Sequence, residues 1–321
     1  SLAKTALFIS FFPQLIAGPI LKYHDICRQI DARRETLADV TAGLRRFIAG
    51  LGKKVLLANT LGAVADPIFA LESLDAPLAW LGALAYALQL YFDFSGYSDM
   101  AIGLGRMFGF RIFENFNYPY VSKSIAEFWR RWHISLGSWF REYLYYPLGG
   151  NRKGTGRTAL NLLIVFVATG IWHGANWTFL AWGLWHGLFI VLERIFGFAA
   201  PGGRLKNALL HLYAVAVFGF GWVLFRAESI TRAGRYCAAM FGFGDGADVL
   251  FSASYYATRQ VLLAMAVGLL ASTPVFRMAK ERLPAAFWAQ AAIDLFLLGI
   301  LFLSILSIAS GTYNPFIYFR F

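Results

Sequence analysis

The sequence predicts an all-α, polytopic integral membrane protein in which transmembrane helices are combined with re-entrant and interfacial helices around an internal cavity. Three observations carry that prediction. Hydrophobic residues make up 58% of the 321 positions. Charged residues make up only 15%, where a soluble domain has about 25%. Thirty-one Phe, fifteen Tyr and ten Trp exceed what a core requires, and Trp and Tyr favour the two membrane–water boundaries.

A helix needs about 20 residues to cross the hydrocarbon, fewer where the bilayer thins. The strongest candidate spans are Pro77–Phe92, Thr158–Trp172, Trp177–Leu192, Ala208–Phe225, Val261–Phe276 and Leu295–Ala309. Thr5–Leu21 and Val55–Leu71 are weaker, because polar or proline residues interrupt them. About six to nine embedded helices are expected. Pro13, Gly18-Pro19, Asp66-Pro67, Thr273-Pro274 and the break at Gly174 predict re-entrant pieces, since irregular backbone survives at membrane depth only under cover of protein or water.

Ser122–Tyr146 mixes Glu127, Arg130, Arg131, Arg141 and Glu142 with Phe, Trp and Tyr, the composition of helices lying in the interface. Glu127 and Arg131 are spaced to pair at i, i+4. Gly149–Gly154 then reads as a cytoplasmic turn.

The net charge of +11 lies between the apolar stretches, which is a signature of topology rather than of nucleic acid. Lys22–Lys54 holds eight Lys or Arg against four acids, and Arg106–Arg157 nine against three, so both face the cytoplasm by the positive-inside rule. Asp66, Glu72 and Asp75 occupy a segment without a cation and read as external. Arg226–Arg235 adds positive charge where the same count expects the exterior. Cys27 and Cys237 form neither a CxxC pair nor a metal spacing with histidine, so both read as packing residues. The chain begins at Ser1 without a cleavable-signal pattern, and is expected to be a single membrane-embedded domain, 1–321, that lacks earlier spans.

Ionisable groups between apolar spans are the candidates for chemistry. His173, in Trp172-His173-Gly174-Ala175-Asn176-Trp177, lies between two apolar stretches. It reads either as a helix-end cap or as a reactive imidazole. Gly174 would let a substrate approach the backbone, Asn176 would orient it, and Trp172 and Trp177 would exclude water. A desolvated imidazole favours the neutral form that a general base requires.

His133 stands in Trp129-Arg130-Arg131-Trp132-His133, where Arg130 and Arg131 would attract donor phosphates. Its plain alternative is filler on a Trp/Arg-anchored interfacial helix. His186 reads as an inter-helix hydrogen bonder, and His24 and His211 as uncommitted. Asp93 and Asp99 would pair with Arg106 or Arg111, orient a histidine or relay protons, with helix-holding pairs as the default. No third ligand accompanies His133 and His173, so no metal is expected. The chain has no GxxxxGK[ST], HExxH or GxSxG, which excludes P-loop, zincin and serine-hydrolase chemistry. A channel, a transporter or a histidine-based intramembrane transferase remains.

Long stretches of the chain resemble a known family. They include Phe12-Pro13-Gln14-Leu15-Ile16-Ala17-Gly18-Pro19, Tyr91-Phe92-Asp93-Phe94-Ser95-Gly96-Tyr97-Ser98-Asp99 and Asn115-Phe116-Asn117-Tyr118-Pro119-Tyr120. Phe128-Trp129-Arg130-Arg131-Trp132-His133, Gly170-Ile171-Trp172-His173-Gly174 and Asn314-Pro315-Phe316-Ile317-Tyr318-Phe319 continue the match. In this order they resemble the membrane-bound O-acyltransferases, in particular the bacterial alginate O-acetyltransferase-like branch.

The resemblance implies a multi-pass acyltransferase of the bacterial inner membrane with a central funnel. His173 falls at the position of the family's catalytic histidine and His133 at that of its second functional histidine. The implied donor is a cytoplasmic thioester, acetyl-CoA or a carrier-linked acyl group, with no bound cofactor and no nucleic acid. The implied partners are membrane lipid and a periplasmic acetyltransferase or polysaccharide-export protein, with a polymer such as alginate as final acceptor. A D-alanyl transferase fed by a carrier protein, and a transporter using Asp93, Asp99 and the histidines as a proton relay, remain open readings.

Overall fold

A computed structural model describes residues 1–244, 246, 251–284 and 286–311, and every regular element among them is helical. The Asn314–Phe319 motif lies outside the described residues. Helices α1 (Leu2–Ile9) and α2 (Tyr23–Ala32) precede α3 (Leu37–Gly52), which runs through a π-turn at Lys53–Ala58 into α4 (Asn59–Ala70). Together Leu37–Ala70 make one 34-residue apolar helix, so the expected Val55–Leu71 span begins far earlier. It continues through Pro67. Asp66-Pro67 therefore marks no re-entrant break.

Asp75 opens α5 (Ala76–Met107) by accepting from the Leu78 N–H, with Pro77 preset for the first turn. This 32-residue helix is buried along most of its length and forms the axis of the molecule. Its Tyr, Gln and Asp side chains keep its hydropathy below that of the outer spans. Short α6 (Ile125–Arg131) and α7 (Ile134–Phe140) follow, then the hairpin of α8 (Gly154–His173) and α9 (Trp177–Phe196). Next come α10 (Arg204–Arg226), α11 (Ile230–Met240) and α12 (Ala253–Tyr256). Last are α13 (Arg259–Ala271), α14 (Val275–Arg282) and α15 (Phe287–Ser310).

Among the described residues five helices have the length and apolarity to cross a membrane: Leu37–Ala70, α8, α9, α10 and α15. Helices α13 and α14 would add a sixth span, bent by 65° at the break containing Thr273 and Pro274, where the sequence predicts one. The protein is thus a multi-pass all-α membrane protein.

Thr5–Leu21 is not a span. Helix α1 stops at Ile9, Pro13 sits in a 3₁₀ turn, and Ile16 takes φ +64°. Phe11, Leu21 and Ile26 then pin this loop against Ile102, Phe110 and Ile112.

Two glycine pairs set the distance between α3 and α5. A Cβ on Gly43 would lie 2.5 Å from the Gly103 carbonyl, and one on Gly50 2.6 Å from the Gly96 carbonyl. The antiparallel backbones touch there, as small residues allow between membrane helices. Ser122–Tyr146 divides into two parts. Ile125, Phe128, His133 and Ser135 are buried in the core beside α9 and α10, whereas Arg141, Glu142, Tyr143 and Tyr146 are exposed. Only the second part has the interfacial character expected of the whole, because the aromatic residues of the first pack against Phe218, Trp222 and His186 rather than lipid.

Candidate active site

His173 ends α8, and Gly174 turns the chain into α9. Gly174 has φ +153°, and a Cβ there would lie 2.7 Å from the Phe179 ring. The glycine thus serves the turn and the Phe179 ring; it does not open a way for substrate. Asn176 caps α9, its Oδ1 accepting from the Thr178 N–H at 3.1 Å while its Nδ2 donates to the Glu228 carbonyl at 3.1 Å. Both polar ends are engaged with backbone, so Asn176 fixes the turn rather than the imidazole.

The walls around His173 also differ from expectation. Trp172 packs 4.9 Å from its ring but is 50% exposed, and Trp177 is 71% exposed. The imidazole is walled instead by Trp182 and Phe225, each 5.1 Å from its centroid and nearly perpendicular to it. These come from α9 and α10, and the sequence gives no sign of the convergence beyond the isolated aromatics themselves.

His133 lies opposite. The small cavity lined by Leu90, Phe94, Trp132, Trp182, Trp222 and Phe225 also has both His133 and His173 on its wall. Its ≈ 20 Å³ of free space suits about one water molecule. His133 is the residue before α7 and adopts a left-handed backbone, φ +44° and ψ +56°, a conformation that His tolerates better than most side chains. Phe94 packs 4.7 Å from it, edge to face. Burial, with a smaller contribution from His173, pushes the His133 imidazole well below its ordinary range, so the ring is neutral.

Asn115, which the sequence marks only as part of a matching motif, holds His133, and Glu193, which the sequence reading does not single out, anchors the helix before it. Asn115 Oδ1 stands 3.2 Å from its Nδ1. Glu193, near the end of α9, accepts from the N–H groups of Ile125 and Ala126 at 2.5 and 3.0 Å and so docks the start of α6. A carboxylate at the end of an otherwise apolar span was the available signal for Glu193.

A second, larger cavity of ≈ 440 Å³ lies on the other side of Asn115. Arg46, Lys53, Asp99, Glu114, Asn115 and Arg277 line it. Asp99 pairs with Arg46 at 2.8 Å and Lys53 at 2.6 Å, and Glu114 also meets Arg46. Asp93 pairs with Lys54 at 2.8 Å. Arg106 and Arg111 both turn to Asp39. Arg131 pairs with Glu127 at 2.8 Å as its spacing predicts. Arg130 is exposed, and neither it nor Arg131 lines either cavity.

His186 makes no inter-helix hydrogen bond. It is fully buried, both ring nitrogens lack a partner among the described residues, and it packs among Phe128, Trp129 and Trp182. His211 meets the Ser122 carbonyl at 3.0 Å, and His24 is exposed beside Asp25.

Residues 1–232 match the sequence model of the membrane-bound O-acyltransferase family. The whole chain is 44% identical to a Pseudomonas putida protein named probable alginate O-acetylase, of which it spans 69%. It is 52% identical over 76% of its length to the Pseudomonas aeruginosa protein of the same name, and spans 47% of that protein. A peptidoglycan O-acetyltransferase of Helicobacter pylori is 41% identical over 74% of this chain, which spans 46% of it.

Proposed function

Since the chain belongs to the membrane-bound O-acyltransferase family, we propose that this O-acyltransferase moves an acetyl group from a cytoplasmic thioester, such as acetyl-CoA, toward hydroxyls of an exported polysaccharide. The observation that carries the reading is the small aromatic-walled cavity with a histidine on each side. His173 takes the proton of the attacking hydroxyl as general base, a role that contributes about 10² to 10⁴ in rate. His133, on the side of Asn115 and the larger cavity, orients the thioester. The narrowness of the cavity favours a short acyl group.

Charge supports the direction. The larger cavity has three cations against two carboxylates, and Arg46, Lys53, Glu114 and Asn115 of its lining come from the cation-rich segments that the positive-inside rule assigns to the cytoplasm. Arg46, Lys53 and Arg277 meet the donor's phosphates in place of Arg130 and Arg131. Helix α8 starts after the Arg152-Lys153 turn, and its 20 residues reach about 30 Å, which carries His173 toward the opposite face. Arg226 and Arg232, which disturb the simple charge count, are consumed locally. Arg226 pairs with Asp66 at 3.0 Å, and Arg232 donates to the last carbonyls of α4 and to Leu71.

The names of the relatives point to a polysaccharide acceptor, alginate for two and peptidoglycan for the third. The bacterial inner membrane and a periplasmic acetyltransferase that completes the transfer fit this reading. Its test is the full-length protein in sealed liposomes, with labelled acetyl-CoA on the cytoplasmic face and oligosaccharide acceptor, with any such transferase, on the other. Label on the acceptor is the expected result. Uptake of the donor without acyl transfer would instead establish a transporter.

A further inference from the structure

Acyl transfer from a thioester needs a donor for the negative oxygen that forms at the carbonyl, usually N–H groups held in place beforehand. Asn176 cannot supply it, because both ends of its amide are bonded to backbone. His133 Nδ1 is engaged with Asn115, and His173 is occupied with the hydroxyl proton. Among the described lining residues, the remaining buried N–H donors without an acceptor are the indole Nε1 groups of Trp182 and Trp222. The Tyr120 hydroxyl stands close to Trp222, whereas among the described residues the Trp182 indole N–H has no acceptor.

Trp182 is also the one whose ring lies against His173, 5.1 Å away and at 86°. It is 1% exposed and held from behind by Trp129 and His186, both 5.4 Å away and tilted at 77° and 73°. A buried N–H with nothing to bond to is costly in a folded protein, and such groups call for a function. An acceptor that exists only during reaction is one.

Resting on the transferase reading above, we propose that Trp182 is a catalytic residue whose indole N–H holds the oxyanion of the tetrahedral intermediate. The acceptor oxygen bonds to the thioester carbonyl carbon as His173 takes its proton, and the C=O π pair moves onto oxygen, where Trp182 donates to it. The pair then returns to re-form C=O, the C–S bond breaks, and the leaving sulfur takes the proton from His173. The products are an ester and a free thiol. Because the bond to Trp182 strengthens only as charge develops, it acts on turnover rather than on donor binding.

The experiment replaces Trp182 in the full-length protein with Phe, and separately with benzothienylalanine, which keeps the size and shape of the ring but has sulfur in place of N–H. Acetyl transfer, donor KM and melting temperature are measured for each. The expected result for the benzothienyl protein is kcat about 10²-fold lower with KM within about threefold and an unchanged melting temperature. A kcat within about threefold of the parent would overturn the proposal, and it does so even if Trp182→Phe fails to fold. His173→Ala in the same assay separates the two readings. If it is inactive while the benzothienyl protein is fully active, only the oxyanion role fails. If it remains active, the general-base role of His173 fails, and absence of transfer by the parent protein is the result that would sink the transferase reading.

Discussion

Asn115 Oδ1 accepts from His133 Nδ1 at 3.2 Å, and the same oxygen accepts from the backbone N–H and the hydroxyl of Ser135 at 3.2 and 2.8 Å. A backbone N–H can only donate, so the amide oxygen is fixed in that position as an acceptor. With the Ser135 hydroxyl, 3.2 Å from Nδ1, donating to that same oxygen, a proton on Nδ1 completes the set and leaves the lone pair of His133 on Nε2. Replacing Asn115 with Leu removes that constraint and leaves Ser98 Oγ without the Nδ2 it meets at 3.1 Å. Transfer is expected to fall about 10²-fold, the low end of what a correctly protonated side chain contributes. Kinetics of the variant, alongside a melting curve, measure it.

Asp99 is the shared anion of Arg46 and Lys53 on the wall of the larger cavity. Asp99→Asn leaves two cations facing each other with only Glu114 nearby. A loss of about 3 kcal/mol in stability is expected, as for a largely buried pair with one partner removed. Thermal unfolding in detergent reads it directly, and the variant's loss should exceed that of Arg277→Ala, whose partner Glu281 is exposed.

Gly174→Ala puts a methyl group 2.7 Å from the Phe179 ring on a backbone that L-residues rarely adopt. The strain is expected to cost about 1–3 kcal/mol and to displace the neighbouring imidazole. Activity should fall further than the melting temperature implies. Gly183→Ala, which meets the Phe166 carbonyl at 2.3 Å elsewhere along the α8–α9 contact, should lower stability as well.

Arg226 and Asp66 form a largely buried pair between α10 and α4, with the guanidinium 5.4 Å above Phe69. A double-mutant cycle with Ala at both positions is expected to give a coupling of about 1–2 kcal/mol. Arg226→Lys should recover only part of it, since ammonium lacks the planar face that rests on the ring.

The apolar spans were legible because hydropathy is local, and α8, α9, α10 and α15 stand close to where it puts them. Helix α5 reads as a single span of half its true length, because Asp93 and Asp99 break the apolar run although Lys54, Lys53 and Arg46 neutralise both acids. Thr5–Leu21 has the composition of a span but contains Pro13 and Gly18, and a tight loop prevails. At the candidate site, His173 and His133 were marked by the rarity of ionisable groups among apolar spans and by the motifs around them. Trp172 and Trp177 read as the walls because they are adjacent in sequence. The actual walls, Trp182, Trp222 and Phe225, lie 9 to 52 residues from His173 and meet only through helix packing. The contact of Asn115 with His133 and the docking role of Glu193 were not legible for the same reason, since the two lie 18 and 60 residues from His133.

The role of His173 as general base is tested most directly by polymer O-acetylation in cells carrying the full-length protein with His173→Ala, normalised to protein level in the membrane. Acetylation at least about 10²-fold below the parent, with a normally folded protein, is the expected result. Undiminished acetylation at normal protein level would contradict it and leave only the membrane fold and family standing.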